Sequence, residues 1–140
     1  MHKLARYYVK SALAYLVLGA ILAALALSNA SQLPPALLAM RPLAWHLLTF
    51  GWATQLIFGV AYWMFPHLSK EAPRGDERIL WAAFWCLNAG LILRAIGEPL
   101  SALRPGLVPP VVLQASAVLQ VAAAWLFAAE TWPRVKSPGH

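Results

Sequence analysis

The sequence predicts an all-α integral membrane protein, a bundle of four membrane-spanning helices. Apolar residues make up 61% of the 140 residues and charged residues only 11%, less than half their share in a typical soluble domain. The apolar residues form four long runs joined by short connections that contain prolines. Because four spans of about 20 residues use most of the chain, the sequence predicts a single domain and excludes an ordinary soluble enzyme. The single cysteine, Cys86, excludes an intramolecular disulfide and a thiolate metal cluster.

The element boundaries follow from the proline pattern. Pro42 opens the second run and Pro66 follows it, as expected for proline at a helix start and just beyond a helix end. Glu98-Pro99 is the predicted end of the third run. The first run follows basic residues, as a signal peptide would, but it is long enough to span and is predicted to stay in the mature protein. The four predicted spans are about 8–28, 42–65, 79–97 and 108–132.

The charge distribution predicts the orientation. A net charge of +6 in a soluble protein would indicate nucleic-acid binding. Here the basic residues lie between apolar runs, which favours a topological role and no nucleic-acid partner. Four spans place both termini and the 66–78 loop on one side, and these segments hold eight of the eleven Lys and Arg residues: Lys3, Arg6, Lys10, Lys70, Arg74, Arg78, Arg134 and Lys136. The positive-inside rule therefore predicts a multi-pass protein of the cell (inner) membrane with both termini in the cytoplasm.

His46 is the first candidate functional residue, because a polar side chain inside a membrane is costly and calls for a reason. It lies five residues after Arg41, or about 7.5 Å along the helix, one to two turns below the outer surface. Two interpretations stay open. The imidazole is either hydrogen-bonded to a backbone carbonyl or a metal ligand through a neutral ring nitrogen.

Arg94 is the second candidate. The third span runs outward and Arg94 lies three residues before Gly97, so Arg94 and Glu98 are predicted at nearly the depth of His46. A buried arginine needs an anionic partner. That partner is either Glu98, four residues further along the helix, or an anionic group of a ligand held by His46. A haem supplies both an iron for the imidazole and propionates for the arginine.

Other aromatic and polar residues fit ordinary structural roles. Trp45 and Trp52 flank His46 and fit an interfacial aromatic belt, with stacking on a cofactor ring as the alternative. Gln55, Asn88 and Gln120 are predicted to form hydrogen bonds between helices.

The second span also carries a recognisable pattern: Arg41-Pro42-x-x-x-His46, Phe50-Gly51-Trp52 and Ile57-Phe58-Gly59-x-x-Tyr62-x-x-x-Pro66. It resembles helix two of haem-copper oxidase subunit I, most closely in the nitric oxide reductase and C-type oxidase branches. The resemblance implies that the chain matches one four-helix arc of that twelve-helix subunit. It also implies that His46 is an axial ligand of a haem b near the outer face. We therefore predict His46 as the iron ligand and, as further haem-binding residues, Arg94, Arg41, Trp45 and Trp52.

The resemblance does not extend to the copper chemistry of the family, because the chain has no residues that match the histidines of the binuclear centre. We expect electron transfer or binding of a diatomic gas rather than catalysis. The other histidines, His2, His67 and His140, are predicted on the opposite side of the membrane from His46. A second axial ligand would come from another chain, from a non-histidine residue or from solvent, or would be absent and leave a site for a gas. Four short helices also form a thin wall around a haem, and both points favour a homodimer or homotrimer. A redox partner or a diatomic gas is the expected further partner. The alternatives are a cofactor-free assembly subunit and a small transporter, which would need an ionisable residue near the midplane.

Overall fold

The computed structural model describes residues 2–28, 34–66 and 75–135, of which 87% are helical and none lies in a strand. The four long helices are Lys3–Leu27, Arg41–Met64, Glu77–Leu103 and Pro110–Arg134. A helical turn, Pro35–Leu38, precedes the second helix, and the fourth helix ends in a 3₁₀ turn, Trp132–Arg134. By length and composition, all four long helices could cross a membrane. The predicted all-α class with four such helices is therefore confirmed.

The structure corrects the predicted start of the first helix and end of the third. The first helix begins at Lys3 because the His2 imidazole accepts a hydrogen bond from the Leu4 amide at 3.4 Å and caps the first turn. The third helix continues through Pro99 to Leu103, so the predicted stop at Glu98-Pro99 is wrong. Proline removes one backbone hydrogen bond, and close to a helix end that loss interrupts little of the remaining helix.

The second helix contains a π-helical segment, Leu47–Thr54, between the α-helical segments Arg41–His46 and Gln55–Met64. A π-helix is wider than an α-helix, with hydrogen bonds between residues five apart, and such segments are rare and frequent at functional sites. His46 is the last residue before this segment. Hydrophobic periodicity does not reveal it, because the helix is apolar on most of its faces.

The first and second helices approach closely at two glycines. A Cβ atom at Gly51 would lie 2.8 Å from the Tyr15 side chain, and one at Gly59 would lie 2.8 Å from Tyr8. The absence of a side chain at both positions therefore permits the helices to pack, as is common between membrane helices. The Tyr8 hydroxyl then donates a hydrogen bond to the Leu80 carbonyl at 3.0 Å, which ties the first helix to the third.

The core is built from all four helices in two clusters. At the end where the first and third helices begin, here the His2 end, the buried apolar residues are Leu4, Ala5, Tyr8, Tyr62, Leu80, Ala83, Phe84 and Phe127. Towards the opposite end, the His46 end, they are Leu43, Leu47, Leu87, Leu91 and Ala123. Phe58 stacks on Phe127 with 3.9 Å between ring centroids and joins the second helix to the fourth. Ser116 donates to the Gly90 carbonyl at 2.7 Å and joins the fourth helix to the third.

Candidate functional site

The His46 imidazole is held in one orientation by its own helix. Its Nδ1 atom donates a hydrogen bond to the Pro42 carbonyl oxygen at 2.9 Å, because a carbonyl oxygen only accepts. The proton therefore lies on Nδ1, and Nε2 carries the lone pair. The ring stacks on Phe50 with 5.9 Å between centroids and an angle of 14° between the planes. The predicted backbone hydrogen bond is thus present, and it fixes the tautomer in which Nε2 is the basic nitrogen.

Arg94, Glu98 and His46 form one polar cluster at the His46 end. Arg94 Nη1 donates to Glu98 Oε1 at 2.6 Å, and His46 Nδ1 lies 3.8 Å from the same oxygen. The Arg94 and Glu98 side chains are only 16% and 12% exposed, so each charge largely depends on the other for compensation. The three residues are therefore close together, as expected from their predicted positions along the spans. The ion pair, one of the two partners predicted for Arg94, is also present.

The cluster leaves two buried polar atoms unsatisfied. Within the part of the chain that the structure describes, Arg94 Nε and Glu98 Oε2 are buried and have no hydrogen-bond partner. A buried polar atom without a partner costs about 1–3 kcal/mol, so native proteins rarely keep one without a reason. One of these atoms is a donor and the other an acceptor. The cluster therefore retains the capacity to bind a polar group in addition to its internal ion pair.

His46 and Arg94 border the same surface groove, which has a volume of about 280 Å³. The other residues that border it come from the second and fourth helices: Phe50, Ala117, Gln120, Val121 and Ala124. The two alanines are seven residues apart, about two helical turns, and their small side chains leave space in the groove along the fourth helix. Val121 is 69% exposed, so the groove is open on its outer side. The arrangement presents an imidazole and a guanidinium beside a largely apolar wall.

The sequence interpretation missed the contribution of the fourth helix. Ala117, Val121 and Ala124 are ordinary residues for an apolar helix, and their part in the groove depends on how the third and fourth helices pack. Gln120 is predicted from the sequence only as a residue that joins helices. Its amide instead donates to Ser116 of its own helix at 3.1 Å. No pattern within the fourth span alone marks these positions.

Three predicted haem-binding residues lie outside this groove. Arg41 donates from Nε and Nη2 to the Ala26 carbonyl at 3.2 and 2.8 Å and so caps the end of the first helix. Arg41 and Trp45 border a separate groove of about 190 Å³ between the first and second helices. Trp52 lies in the π-helical segment and is partly buried. The structure thus brings His46 and Arg94 together, whereas a cofactor contact by Arg41, Trp45 or Trp52 stays a prediction.

The buried amides follow the predicted pattern only in part. Asn88 accepts a hydrogen bond from the Tyr15 hydroxyl at 2.9 Å, so the predicted hydrogen bond between helices is confirmed there. Gln55 is fully buried, and neither amide atom has a hydrogen-bond partner among the described residues. Gln55 directly follows the π-helical segment. Buried polar atoms without a hydrogen-bond partner among the described residues therefore occur in the middle of the second helix as well as at the His46 end.

Residues 2–28, 34–66 and 75–135 contain no group of three or more His, Cys, Asp and Glu side chains able to hold a metal ion together. His67 and His140 lie outside the described residues, so the prediction that they are on the opposite side from His46 stays a prediction.

The fold and the site define an all-α protein with four helices that could cross a membrane and a His–Arg–Glu cluster beside a groove at one end. Comparisons of the chain with protein-family models, curated proteins and solved structures give no match. The resemblance of residues 41–66 to haem-copper oxidase subunit I therefore rests on those residues alone and stays a prediction.

Proposed function

We propose that this chain is a membrane-embedded haem b protein in which His46 is the iron ligand, and that it serves electron transfer or diatomic gas binding. The groove shared by His46 and Arg94 carries this proposal. A histidine that ligates a metal usually donates its other ring N–H to a carbonyl or carboxylate, which fixes the ring and raises its basicity. His46 makes this hydrogen bond to Pro42, and the Glu98 carboxylate lies nearby. Haem b, when bound, would supply reversible one-electron chemistry at iron and a site for a gas.

The residues that border the groove fit the edge of a haem. Arg94 Nε, buried and unpaired within the described residues, is a donor for a propionate. Ala117 and Ala124 leave room for a flat ring, and Phe50 adds apolar surface beside His46. His46 and Arg94 would hold the group, and the fourth helix would shield one side from water.

A single chain covers only part of such a group, because the groove is small and open at Val121. We propose that a second copy completes the site in a homodimer or homotrimer. A residue of the other chain would then supply a further iron ligand, or the iron would bind a gas. A trimer corresponds to the pseudo-threefold arrangement in the oxidases that the second helix resembles, and this analogy is part of the proposal.

We also propose that the His2 end faces the cytoplasm. Most described cations belong to that end: Lys3, Arg6, Lys10, Arg78 and Arg134. At the other end Arg94 is paired with Glu98, and Arg41 caps a helix. This distribution is the one that the positive-inside rule associates with a cytoplasmic side.

One observation favours a second candidate, a cofactor-free assembly or structural subunit. The Arg94–Glu98 ion pair at 2.6 Å compensates the buried charges without any ligand. In that case the groove is only a gap between helices, and the unpaired atoms are a tolerated cost. The two candidates differ in whether the purified protein retains a cofactor.

The test is the visible absorption spectrum and pyridine haemochrome of protein purified from haem-replete cells. We expect a Soret band and, after reduction, a b-type α-band. His46→Ala should lose the haem, whereas His2→Ala at the other end of the bundle and His67→Ala should retain it. The proposal fails if the wild-type protein is colourless and stays so after haem addition, or if His46→Ala keeps full haem with an unchanged spectrum.

A further inference from the structure

The first helix carries a basic face at the His2 end. Lys3, Arg6, Tyr7 and Lys10 are exposed and together border an outward groove of about 240 Å³. Spacings of three, four and seven residues place these side chains on one side of the helix, over a length of about 10 Å. In the described part of the chain, none of the three cations has an ion-pair partner. Cations concentrated on one face, with no ion-pair partner among the described residues, can bind an external anion.

The same side of the first helix continues as an apolar strip. Leu13, Val17 and Ile21 follow at helical spacing and are each at least 50% exposed. From Lys10 to Ile21 the helix rises about 16 Å, roughly half the thickness of a bilayer hydrocarbon core. A soluble anion would contact only the cations. A molecule with an anionic head and long apolar chains matches both the basic face and the strip.

Two aromatic rings mark the level of the basic face. Tyr7 contacts Trp81 of the third helix edge-on, with 5.3 Å between ring centroids. Tyrosine and tryptophan favour the boundary between headgroups and acyl chains. The pair therefore favours a position for Lys3, Arg6 and Lys10 at the level where phosphate groups of lipids lie. The exposed Tyr7 hydroxyl adds a hydrogen-bond donor to the same groove.

We propose that this basic face binds the phosphodiester headgroup of an anionic phospholipid, whose acyl chains lie along Leu13, Val17 and Ile21. Lysine and arginine form strong charge-assisted hydrogen bonds with phosphate oxygens. The site lies at the opposite end of the bundle from His46 and is independent of haem. It gives the cations a binding role beyond setting the orientation of the chain.

The experiment is native mass spectrometry of the full chain in a neutral detergent, with phosphatidylglycerol and phosphatidylcholine of identical acyl chains as probes. We expect the wild-type protein to prefer phosphatidylglycerol. Each cation removed should weaken this binding about fivefold, so Arg6→Gln loses about fivefold and the triple change Lys3→Gln, Arg6→Gln, Lys10→Gln about a hundredfold. Arg104→Gln is the matched control, because it removes one exposed charge at the His46 end.

Further variants and a competitor distinguish lipid binding from a net-charge effect and from binding of free phosphate. Arg6→Lys keeps the charge and should keep most of the affinity, and circular dichroism should show unchanged helix content in every variant. Equal weakening by Arg104→Gln would overturn the proposal, because net charge alone would then account for the preference. Displacement of the lipid by millimolar inorganic phosphate would also overturn it, since the site would then recognise phosphate without the acyl chains. Equal affinity of the wild-type protein for both lipids has the same consequence.

Discussion

The two ends of the bundle differ in the hydrogen bonds that their buried charged residues make. At the His2 end, Arg134 is only 1% exposed and binds the last carbonyls of the second helix. Its guanidinium donates at 3.0, 2.8 and 3.1 Å to the carbonyl oxygens of Tyr62, Phe65 and Pro66. At the His46 end, Arg94 Nε and Glu98 Oε2 have no partner among the described residues. The Arg134 hydrogen bonds join the fourth helix to the second, whereas Arg94 and Glu98 each keep an atom that could form a further hydrogen bond.

Further contacts at the His2 end strengthen this contrast. Glu130 of the fourth helix accepts a hydrogen bond from the Asp76 amide at 2.5 Å, where an acidic group also interacts favourably with the start of the third helix. His2 Nε2 lies 2.8 Å from Glu77 Oε1, and the Tyr62 hydroxyl lies 3.3 Å from His2 Nδ1. All four helices are therefore connected there by polar contacts. The comparison teaches that polar contacts between helices hold the bundle together at the His2 end, whereas the unpaired polar atoms at the His46 end retain capacity for a further hydrogen bond.

The largest effect should come from the His2 end. Arg134→Ala removes a buried cation and leaves carbonyls at the end of the second helix without their donor, so we expect a loss of about 3 kcal/mol in the free energy of unfolding. Denaturant titration in detergent, followed by circular dichroism, measures it. Arg134→Lys keeps the charge but not the planar donor geometry, so its free energy of unfolding should lie between those of the wild-type protein and Arg134→Ala. Unchanged stability in Arg134→Ala would show that this end is not held together as described.

At the His46 end, Arg94→Leu should destabilise the protein by about 2 kcal/mol, because Glu98 then keeps a mostly buried charge without its partner. The double change Arg94→Leu, Glu98→Gln should restore most of that loss. If Arg94 also binds a propionate, Arg94→Leu should lower haem occupancy. It should also shift the reduction potential of the remaining haem downward, because a nearby positive charge favours the less positive reduced iron. A redox titration beside the unfolding experiment measures both effects. An unchanged potential at full occupancy would restrict Arg94 to its ion pair.

Filling the groove should affect binding without affecting stability. Ala117→Phe places a ring in the groove from an exposed position, so we expect about tenfold weaker haem binding and a change in unfolding free energy within about 0.5 kcal/mol. Ala128→Phe is the matched control, because Ala128 is exposed on the same helix but borders a different groove. Haem titration of both variants decides the matter. Equal affinity in the two would place the ligand elsewhere.

The smallest effect is expected for His2→Ala. The His2–Glu77 contact is partly exposed, with side-chain accessibilities of 24% and 47%, and contributes little. Loss of the cap on the Leu4 amide adds to it, so His2→Ala should cost about 1 kcal/mol in the free energy of unfolding. Haem content should not change. A loss of haem in this variant would mean that the two ends are coupled, and the contrast between them would need revision.

The main features of the fold could be predicted because four long apolar runs leave few alternatives. The proximity of His46 and Arg94 could also be predicted, since the helical rise fixes the depth of each residue along its span. The continuation of the third helix through Pro99 could not, because local propensity predicts a stop that the surrounding bundle does not enforce. The π-helical segment could not be predicted from apolar periodicity either.

The role of Arg134 shows a different limit. Counting charges places it correctly among the cations of the His2 end, but that count treats it as a surface charge. Its burial depends on the carbonyls left unpaired at the end of the second helix, about 70 residues earlier in the chain. The groove wall from the fourth helix has the same origin. Both features come from packing between helices, which the periodicity of a single helix does not encode.

The most direct test of the central claim is chemical rescue of His46→Gly with imidazole. This change removes the proposed ligand and leaves space for free imidazole beside Phe50, with circular dichroism as a control for the cost of glycine within a helix. If His46 ligates haem iron, the variant should have little haem or an altered Soret band, and millimolar imidazole should restore the wild-type spectrum. The wild-type protein with the same imidazole concentration is the reference spectrum for the rescue. A wild-type haem spectrum in His46→Gly without imidazole would contradict the account.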